Sequence, residues 1–261
     1  MRFFLLVLTT ALLLLVRCSI ETAKEPVSSY LHIATDVFKN SDSKLFDAFT
    51  KQTGVIIRFH QLTPDSLSAY IEQKKYLGDI DMAIYSSPFQ FESLRYNKQL
   101  TFIKSSELIG KSNLIFQTIV PLIQNPLCLI QVRDSSMLKQ KKTSLSKLFK
   151  QSLSTTLTKK EMHLMAMSLS DKIDQKHMLN AIYKNTILFN TPIDVSHTKM
   201  LVLRHQIKKS PNRKRFLIKP LENPKNYASA AVLKNSKSYN SSIQFINYIK
   251  KDNPKQLFYV K

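Results

Sequence analysis

The sequence predicts an α/β fold, a parallel sheet with helices on both faces, and three observations carry the prediction. Strand-like and helix-like runs alternate three times between residues 30 and 96. The helical runs carry start and stop signals at their ends. A chain of 261 residues with 43% hydrophobic content has enough apolar surface for a sizeable core, which excludes a wholly disordered basic tail.

Tyr30-Leu-His-Ile-Ala34 reads as the first strand. Asp42 or Ser43 then caps a helix whose Leu45, Phe46 and Phe49 share one face, and Gly54 ends it, as the residue that enters the left-handed conformation without a Cβ penalty. Residues 55–60, rich in β-branched side chains, form the second strand. Thr63-Pro64-Asp65 opens the next helix with a hydroxyl N-cap, a proline where no amide hydrogen is needed, and an acid facing the helix dipole. Leu67, Tyr70, Ile71 and Lys74 keep its i, i+3, i+4 spacing. Residues 79–85 form the third strand, and Ser87-Pro88 repeats the capping device ahead of Phe91, Leu94 and Arg95.

Further along, residues 113–120 and 127–132 read as strands, and residues 139–170 are helical in composition without clear ends. Residues 153–167 alternate polar and apolar stretches that fit neither period. Residues 227–233 read as a strand, and residues 238–250 as a helix with Tyr239, Ile243, Ile246 and Ile249 inward. No repeat and no low-complexity linker interrupts the chain, so any division into domains requires it to cross between lobes.

Residues 1–17 stand apart. Arg2 precedes an apolar stretch over residues 3–16, short for a bilayer span and suited to the core of a secretory signal peptide. Cys18 follows Leu15-Val16-Arg17, which resembles the lipobox of bacterial lipoproteins, where the cysteine becomes the lipidated first residue. That box has a small residue where Arg17 stands, so lipidation at Cys18 and ordinary cleavage nearby both stay open. With Cys18 lipidated or removed, Cys128 has no intramolecular disulfide partner. Its apolar surroundings read as a buried strand, and no neighbouring base marks it as a nucleophile.

The three glycines, Gly54, Gly78 and Gly110, lie far apart, so neither a Walker loop nor a G-x-G-x-x-G turn can be written. Lysines and arginines number 39 against 18 acids, a formal charge of +21, and removal of residues 1–17 lowers it by two. Two basic runs stand out, Lys139-Gln-Lys-Lys142 and Lys208-Lys-Ser-Pro-Asn-Arg-Lys-Arg215 with Lys219. No aromatic ladder, helix-turn-helix phrase or zinc finger accompanies them, and an exported chain does not meet the genome, so no nucleic-acid partner is expected. They read as a solvated face, with adhesion to an anionic envelope surface as the alternative. His163, His177, His197 and His205 lack the i, i+4 pairing of a metal-binding helix, and Met162, Met165 and Met167 read as packing residues. No metal and no cofactor is expected.

The helix ending in Phe49-Thr-Lys-Gln-Thr-Gly-Val55, the run from Leu67 to Lys74, and Gly78-Asp-Ile-Asp-Met-Ala-Ile-Tyr-Ser-Ser87 together resemble the front half of type 2 periplasmic solute-binding proteins of ABC importers. Tyr227-Ala-Ser-Ala-Ala-Val-Leu-Lys-Asn-Ser-Lys237, followed by Ile243-Gln-Phe-Ile-Asn-Tyr-Ile249, is similar to that family's returning strand and last helix. The molybdate-type branch is the closest in resemblance, because Asn125-Pro-Leu-Cys-Leu-Ile-Gln-Val132 is similar to its crossover strand, and the iron-type branch is second. The resemblance covers roughly residues 29–135 and 220–255. It implies a two-lobed α/β fold with a ligand cleft between lobes and hinge closure around the ligand. On that basis residues 1–17 are the signal peptide, 18–28 a tether, 29–120 with 206–261 lobe 1, and 121–205 lobe 2.

Molybdate-type proteins hold a tetrahedral oxyanion with hydroxyls and backbone N–H groups at helix starts. By position, the resemblance implies ligand contacts from Thr35 and Asp36 after the first strand, Thr63 after the second, and Ser86 and Ser87 after the third. An ionised Asp36 opposes an oxyanion; it either caps the following helix or favours a cationic ligand. His60-Gln-Leu-Thr-Pro-Asp65 replaces a glycine-rich turn, and neither the tyrosine nor the threonine of the family's second-lobe phrase occurs near Met200-Leu-Val-Leu-Arg-His-Gln206. Thr35, Thr63, Ser86 and Ser87 also suit plain helix-capping roles.

The resemblance implies an exported substrate-binding component of an ABC transporter that captures a small molecule or ion, an oxyanion such as molybdate, and presents it to a permease in the inner membrane. The chain is expected to be periplasmic or membrane-anchored at the cell envelope, and a monomer. No nucleophile, base and orienter stand together in the sequence, so no enzyme activity is expected. The alternative is an envelope adhesion or scaffolding protein on a degenerate form of the same fold.

Overall fold

The computed structural model describes residues 30–73, 80–110, 114–132, 149, 153–167, 172–184, 187–193, 199–211, 213–221 and 226–252. The expected signal, Cys18, the tether 18–28 and the basic run 139–142 lie outside the described residues. In chain order the strands are β1 (Tyr30–Thr35), β2 (Ile56–Gln61), β3 (Met82–Tyr85), β4 (Val120–Gln124), β5 (Leu127–Val132), β6 (Leu153–Thr155), β7 (Ile187–Leu188), β8 (Lys199–Leu203), β9 (Phe216–Pro220) and β10 (Tyr227–Val232). The α-helices are α1 (Asp47–Thr53), α2 (Pro64–Glu72), α3 (Glu92–Tyr96), α4 (Lys159–Met167), α5 (Lys172–Tyr183), α6 (Arg204–Lys209) and α7 (Tyr239–Asp252).

The strands form two sheets, ordered β2-β1-β3-β10-β4 and β7-β6-β8-β5-β9. In the first, β1 pairs in parallel with β2 and β3, as the strand–helix alternation requires, whereas β10 runs antiparallel to β3 and to β4. In the second, β6 pairs in parallel with β7 and β8, and β5 is antiparallel to β8 and β9. Each sheet is therefore mixed: one strand that arrives from the other lobe, β10 in the first and β5 in the second, runs antiparallel to both of its neighbours.

The chain leaves the first sheet at Gln124, enters the second at Leu127, and is back in the first at Tyr227. Within residues 206–220, expected in lobe 1, β9 belongs to the second sheet, because it pairs with β5 from Phe216 to Pro220. The lobe boundary expected at 120/121 moves to Asn125, because β4 pairs with β10.

Both faces of the first sheet are buried. Leu31, Ile33, Phe59 and Ile84 pack against Phe46, Phe49 and Phe245, whose rings meet edge-on at 5.0 and 5.1 Å. Ala34, Ala83 and Tyr85 on the other face meet Leu67, Phe91 and Leu94. In the second lobe Leu127, Leu129, Leu201 and Leu203 pack against Met162, Met165, Met178 and Ile182. Full burial of each such large side chain is worth about 1.5–3 kcal/mol, so two apolar cores hold the lobes beneath a strongly basic surface.

Local chemistry explains the departures from the sequence reading. The segment Asn40–Phe46 is a 3-10 helix, and its tighter winding turns Leu45 outward to 57% exposure while Phe46 stays buried. Asp42 serves that helix from its first turn, accepting the Lys39 N–H at 2.7 Å. Gly54 ends α1 in the left-handed conformation, φ 75°, as expected. Residues 115–119 are a tight turn closed by an Ile115–Ile119 bridge, with Phe116 and Gln117 at φ 53° and 58°, so the strand begins only at Val120. Residues 153–167, which fit neither period, are a strand of 3 residues, a turn and α4. Helix α7 buries Ile243, Ile246 and Ile249 as expected, and Phe245 with them. No helix among the described residues is long and apolar enough to cross a membrane.

Candidate ligand cleft

The two crossovers meet at a pair of asparagines. Asn125 follows β4 and Asn226 precedes β10, and both are fully buried. The Asn125 N–H donates to the Asn226 carbonyl at 2.8 Å, and the Asn226 side-chain amide returns a bond to the Asn125 carbonyl at 3.0 Å. Both side-chain amides also donate to the carbonyl of Ser86, each at 2.9 Å. The two crossovers are thus fastened to the turn after β3.

The turns that face this space follow the C-terminal ends of the parallel strands, where open α/β sheets place their ligands. In lobe 1, Thr35 ends β1 with 0% exposure, and its Oγ1 accepts the N–H groups of Val37 and Phe38 at 2.9 and 3.2 Å. Asp36 accepts the Ser86 N–H at 2.9 Å, the Ser86 hydroxyl at 2.6 Å and the Gln90 side-chain amide at 3.0 Å. The Gln90 carbonyl oxygen in turn accepts the Ser87 N–H at 3.0 Å. Ser87, fully buried, caps the short 3-10 helix Pro88–Phe91. This network ties the turns after β1 and β3 into one rigid floor.

Thr63 caps α2, accepting the Ser66 N–H at 3.2 Å, and is exposed. Behind it, Tyr85 is fully buried and its hydroxyl has no partner among the described residues. Burial first, then the carboxylates of Asp36 and Asp65, push its phenol far above the usual tyrosine range, so it stays neutral.

Lobe 2 mirrors lobe 1. Thr155 ends β6 buried, its Oγ1 accepting the Leu157 N–H at 3.2 Å, as Thr35 does for its own turn. Thr158 and Glu161 then form a reciprocal cap on α4: the Thr158 N–H donates to Glu161 Oε2 at 2.8 Å and the Glu161 N–H to Thr158 Oγ1 at 3.1 Å.

The lobes touch where the Pro88–Phe91 turn meets α4. The half-buried Phe89 packs against the core of lobe 2, and Lys160 pairs with Glu92 at 3.3 Å. On one side of this contact lies a cavity of about 250 Å³ walled by Thr63, Asp65 and Gln90 of lobe 1 and Thr158, Lys160 and Glu161 of lobe 2. On the other lies an apolar cavity of about 410 Å³ between Ile115, Phe116 and Ile119 of lobe 1 and Leu164 and Met167 of lobe 2. Phe89 and Leu164 line both.

Of the residues expected at the ligand, Thr63 lines the polar cavity. Thr35, Ser86 and Ser87 are at most 2% exposed and hold backbone and Asp36, and Asp36 takes bonds from Ser86 and Gln90, so these four form a floor and none of them lines either of these two cavities. The sequence reading missed Gln90, Thr158 and Glu161, although Ser87-x-x-Gln90 and Thr158-x-x-Glu161 both carry the capping-box spacing. It also missed the joint role of Asn125 and Asn226, which lie about a hundred residues apart and carry no local signal. Among the described residues no three His, Cys, Asp or Glu side chains gather as a metal site. Cys128 is buried, and burial pushes its thiol up to about 12, as suits a structural residue.

No family model and no curated protein sequence matches this chain. Solved structures do. Iron-bound HitA from Pseudomonas aeruginosa superposes with a TM-score of 0.67 at 12% identity, over 88% of this chain and 83% of that one. The fold is that of the two-lobed periplasmic binding proteins. Ferric iron-binding protein A from Mannheimia haemolytica, in an open conformation, gives 0.65 at 12% identity over 88% and 82%. The spermidine/putrescine ABC transporter substrate-binding protein PotD from Streptococcus pneumoniae gives 0.59 at 15% identity over 85% and 78%. In this chain the Asn125–Asn226 pair joins the two crossovers between the sheets, and both cavities are walled by residues of both lobes.

Proposed function

We propose that this chain is the exported substrate-binding component of an ABC importer, capturing a small solute between its lobes and presenting it to a permease in the inner membrane. The observation that carries the reading is a cavity of about 250 Å³ whose walls come from both lobes above a two-strand hinge. A solute held there stabilises the closed arrangement, because only closure brings both walls to it. Solved proteins of this fold include binding proteins for iron and for polyamines, which supports the role.

Thr63, Asp65, Gln90, Thr158 and Glu161 are the proposed ligand contacts, on a floor of Thr35, Asp36, Ser86 and Ser87. The oxyanion reading loses support in this geometry: the hydroxyls of the floor are buried and committed, and the carboxylates of Asp65 and Glu161 line the cavity. A thermal-shift panel of oxyanions, metal ions, amino acids, amines and sugars tests the role. Saturable stabilisation by one small solute, lost in Thr63→Ala with Gln90→Ala, supports it; a flat panel sinks it. The proposed envelope anchor is tested by lipid labelling at Cys18, with Cys18→Ser as control, and the monomer by the solution mass.

A second reading, adhesion to an anionic envelope surface, is favoured by the exposed turn Arg213–Arg215. It predicts salt-sensitive binding to anionic liposomes that weakens when Arg213, Lys214 and Arg215 are neutralised.

A further inference from the structure

We infer that the apolar cavity on the far side of Phe89 is a binding site in its own right, separate from the polar cavity, and that it takes a small monocarboxylate with an apolar body. Its size, about 410 Å³, falls in the range of about 300–1,000 Å³ found for pockets that hold small organic ligands. Its apolar walls come from Phe89, Phe116 and Ile119 of lobe 1 and from Leu164 and Met167 of lobe 2. Phe116 is 64% exposed and Met167 55%, so an apolar group lying between them takes surface out of water on both lobes at once. Tyr227, the residue after Asn226, also lines the cavity, so an occupant touches the end of the second crossover. A hydrated ion leaves these walls uncovered, and a fully polar solute pays desolvation against them.

One charge at this cavity is unmatched. Arg95 of α3 lines it, with its guanidinium carbon 4.3 Å from the centre of the Phe116 ring. That contact holds the planar group against the ring face, and the group's edge carries the fork of N–H donors that suits a carboxylate. Glu92, the one carboxylate among the lining residues, is taken by Lys160 at 3.3 Å. Two cations against one carboxylate leave a net positive charge, and no described carboxylate pairs with Arg95. A carboxylate head gains a partner there, whereas an amine meets like charge. The backbone gives a second, independent sign. Phe116 and Gln117 stand at φ 53° and 58°, a conformation that bulky residues seldom adopt. Reciprocal Ile115–Ile119 backbone bonds at 2.9 and 3.0 Å hold the turn, and the Ile103 N–H donates to the Gln117 carbonyl at 3.0 Å. Strain of this kind persists only where the surroundings fix it, and it gathers at ligand clamps. Here it holds an aromatic ring at the cavity wall, against the arginine.

Calorimetric titration of the full chain with phenylacetate, phenethylamine, acetate and benzyl alcohol tests this. Phenylacetate is expected to bind saturably at one site. Phenethylamine, with the same ring and the opposite charge, and acetate, with the same head and no body, are each expected to bind about tenfold or more weaker. Arg95→Gln is expected to weaken phenylacetate about tenfold, to the level of benzyl alcohol, and Met167→Ala about fivefold, although the two side chains stand on different lobes. Both side chains are exposed, so both variants are expected to fold, and unchanged melting temperatures establish it. No binding of phenylacetate overturns the inference. So does phenethylamine binding as tightly as phenylacetate, and so does phenylacetate binding that is insensitive to Arg95→Gln or to Met167→Ala. Each of these outcomes leaves the solute-binding reading standing, because that reading concerns the polar cavity and is tested by the wider panel.

Discussion

Asn125 and Asn226 clasp the two interlobe crossovers to each other and to one carbonyl, that of Ser86, through bonds of 2.8–3.0 Å. The clasp ties the crossovers to the floor of the first lobe, because Ser86 also donates to Asp36. Asn226→Ala removes two side-chain bonds in a fully buried site and is expected to cost about 1–3 kcal/mol. Asn226→Asp places a carboxylate against the carbonyls of Ser86 and Asn125 and is expected to cost more. Urea unfolding midpoints of the three chains check the order.

Phe89 joins the lobes through the core of lobe 2 without belonging to that lobe. Phe89→Ala is expected to leave both lobes folded, to lower stability by about 1–2 kcal/mol as suits a half-buried ring, and to raise the radius of gyration by freeing the lobes. Small-angle scattering with far-ultraviolet circular dichroism separates opening from unfolding. An unchanged radius contradicts the latch.

Tyr239 donates to Glu107 Oε2 at 2.7 Å and thereby fixes α7 to the turn before β4. The bond holds the Glu107 carboxyl below its ordinary value, and burial followed by Glu107 pushes the Tyr239 phenol up to about 12. The lowered Glu107 contributes stability above the ordinary carboxylate value of 4.5 that is lost as pH falls through the folded value. The raised Tyr239 contributes stability below its ordinary value of 10.0 that is lost as pH rises through about 12. Tyr239→Phe is expected to flatten both limbs, read as unfolding midpoints at pH 3–6 and 9–12.

Cys128 sits at 0% exposure with its thiol 3.6 Å from the Pro126 carbonyl. A thiol-reactive disulfide reagent is expected to leave it unmodified in the native chain and to modify it on unfolding in urea. Reaction in the folded chain at neutral pH contradicts a structural role.

The first lobe was legible because its signals are local. Gly54, Thr63-Pro64 and Ser87-Pro88 each fix one helix end by the chemistry of a few adjacent atoms, and each appears where the sequence places it. The second lobe resisted because β6 is 3 residues long, below any readable period, and α4 has apolar residues on a half-covered face. The lobe boundary was misplaced because β9 matches β5 by register, a long-range property that no local pattern encodes. The site residues share that limit. Thr35 and Ser87 are hydroxyls at strand ends, as a ligand contact requires, yet whether such a hydroxyl turns to the cleft or to its own backbone is decided by packing around it.

A small solute is expected to draw the two lobes together about the Asn125–Asn226 crossovers. Fluorophores on Lys51→Cys in lobe 1 and Lys176→Cys in lobe 2, both exposed sites, report the interlobe distance by single-molecule energy transfer. A solute that stabilises the chain is expected to shift the distance distribution saturably, with the same concentration dependence as its binding. A distribution that stays fixed at saturating concentrations of every solute that binds contradicts the account.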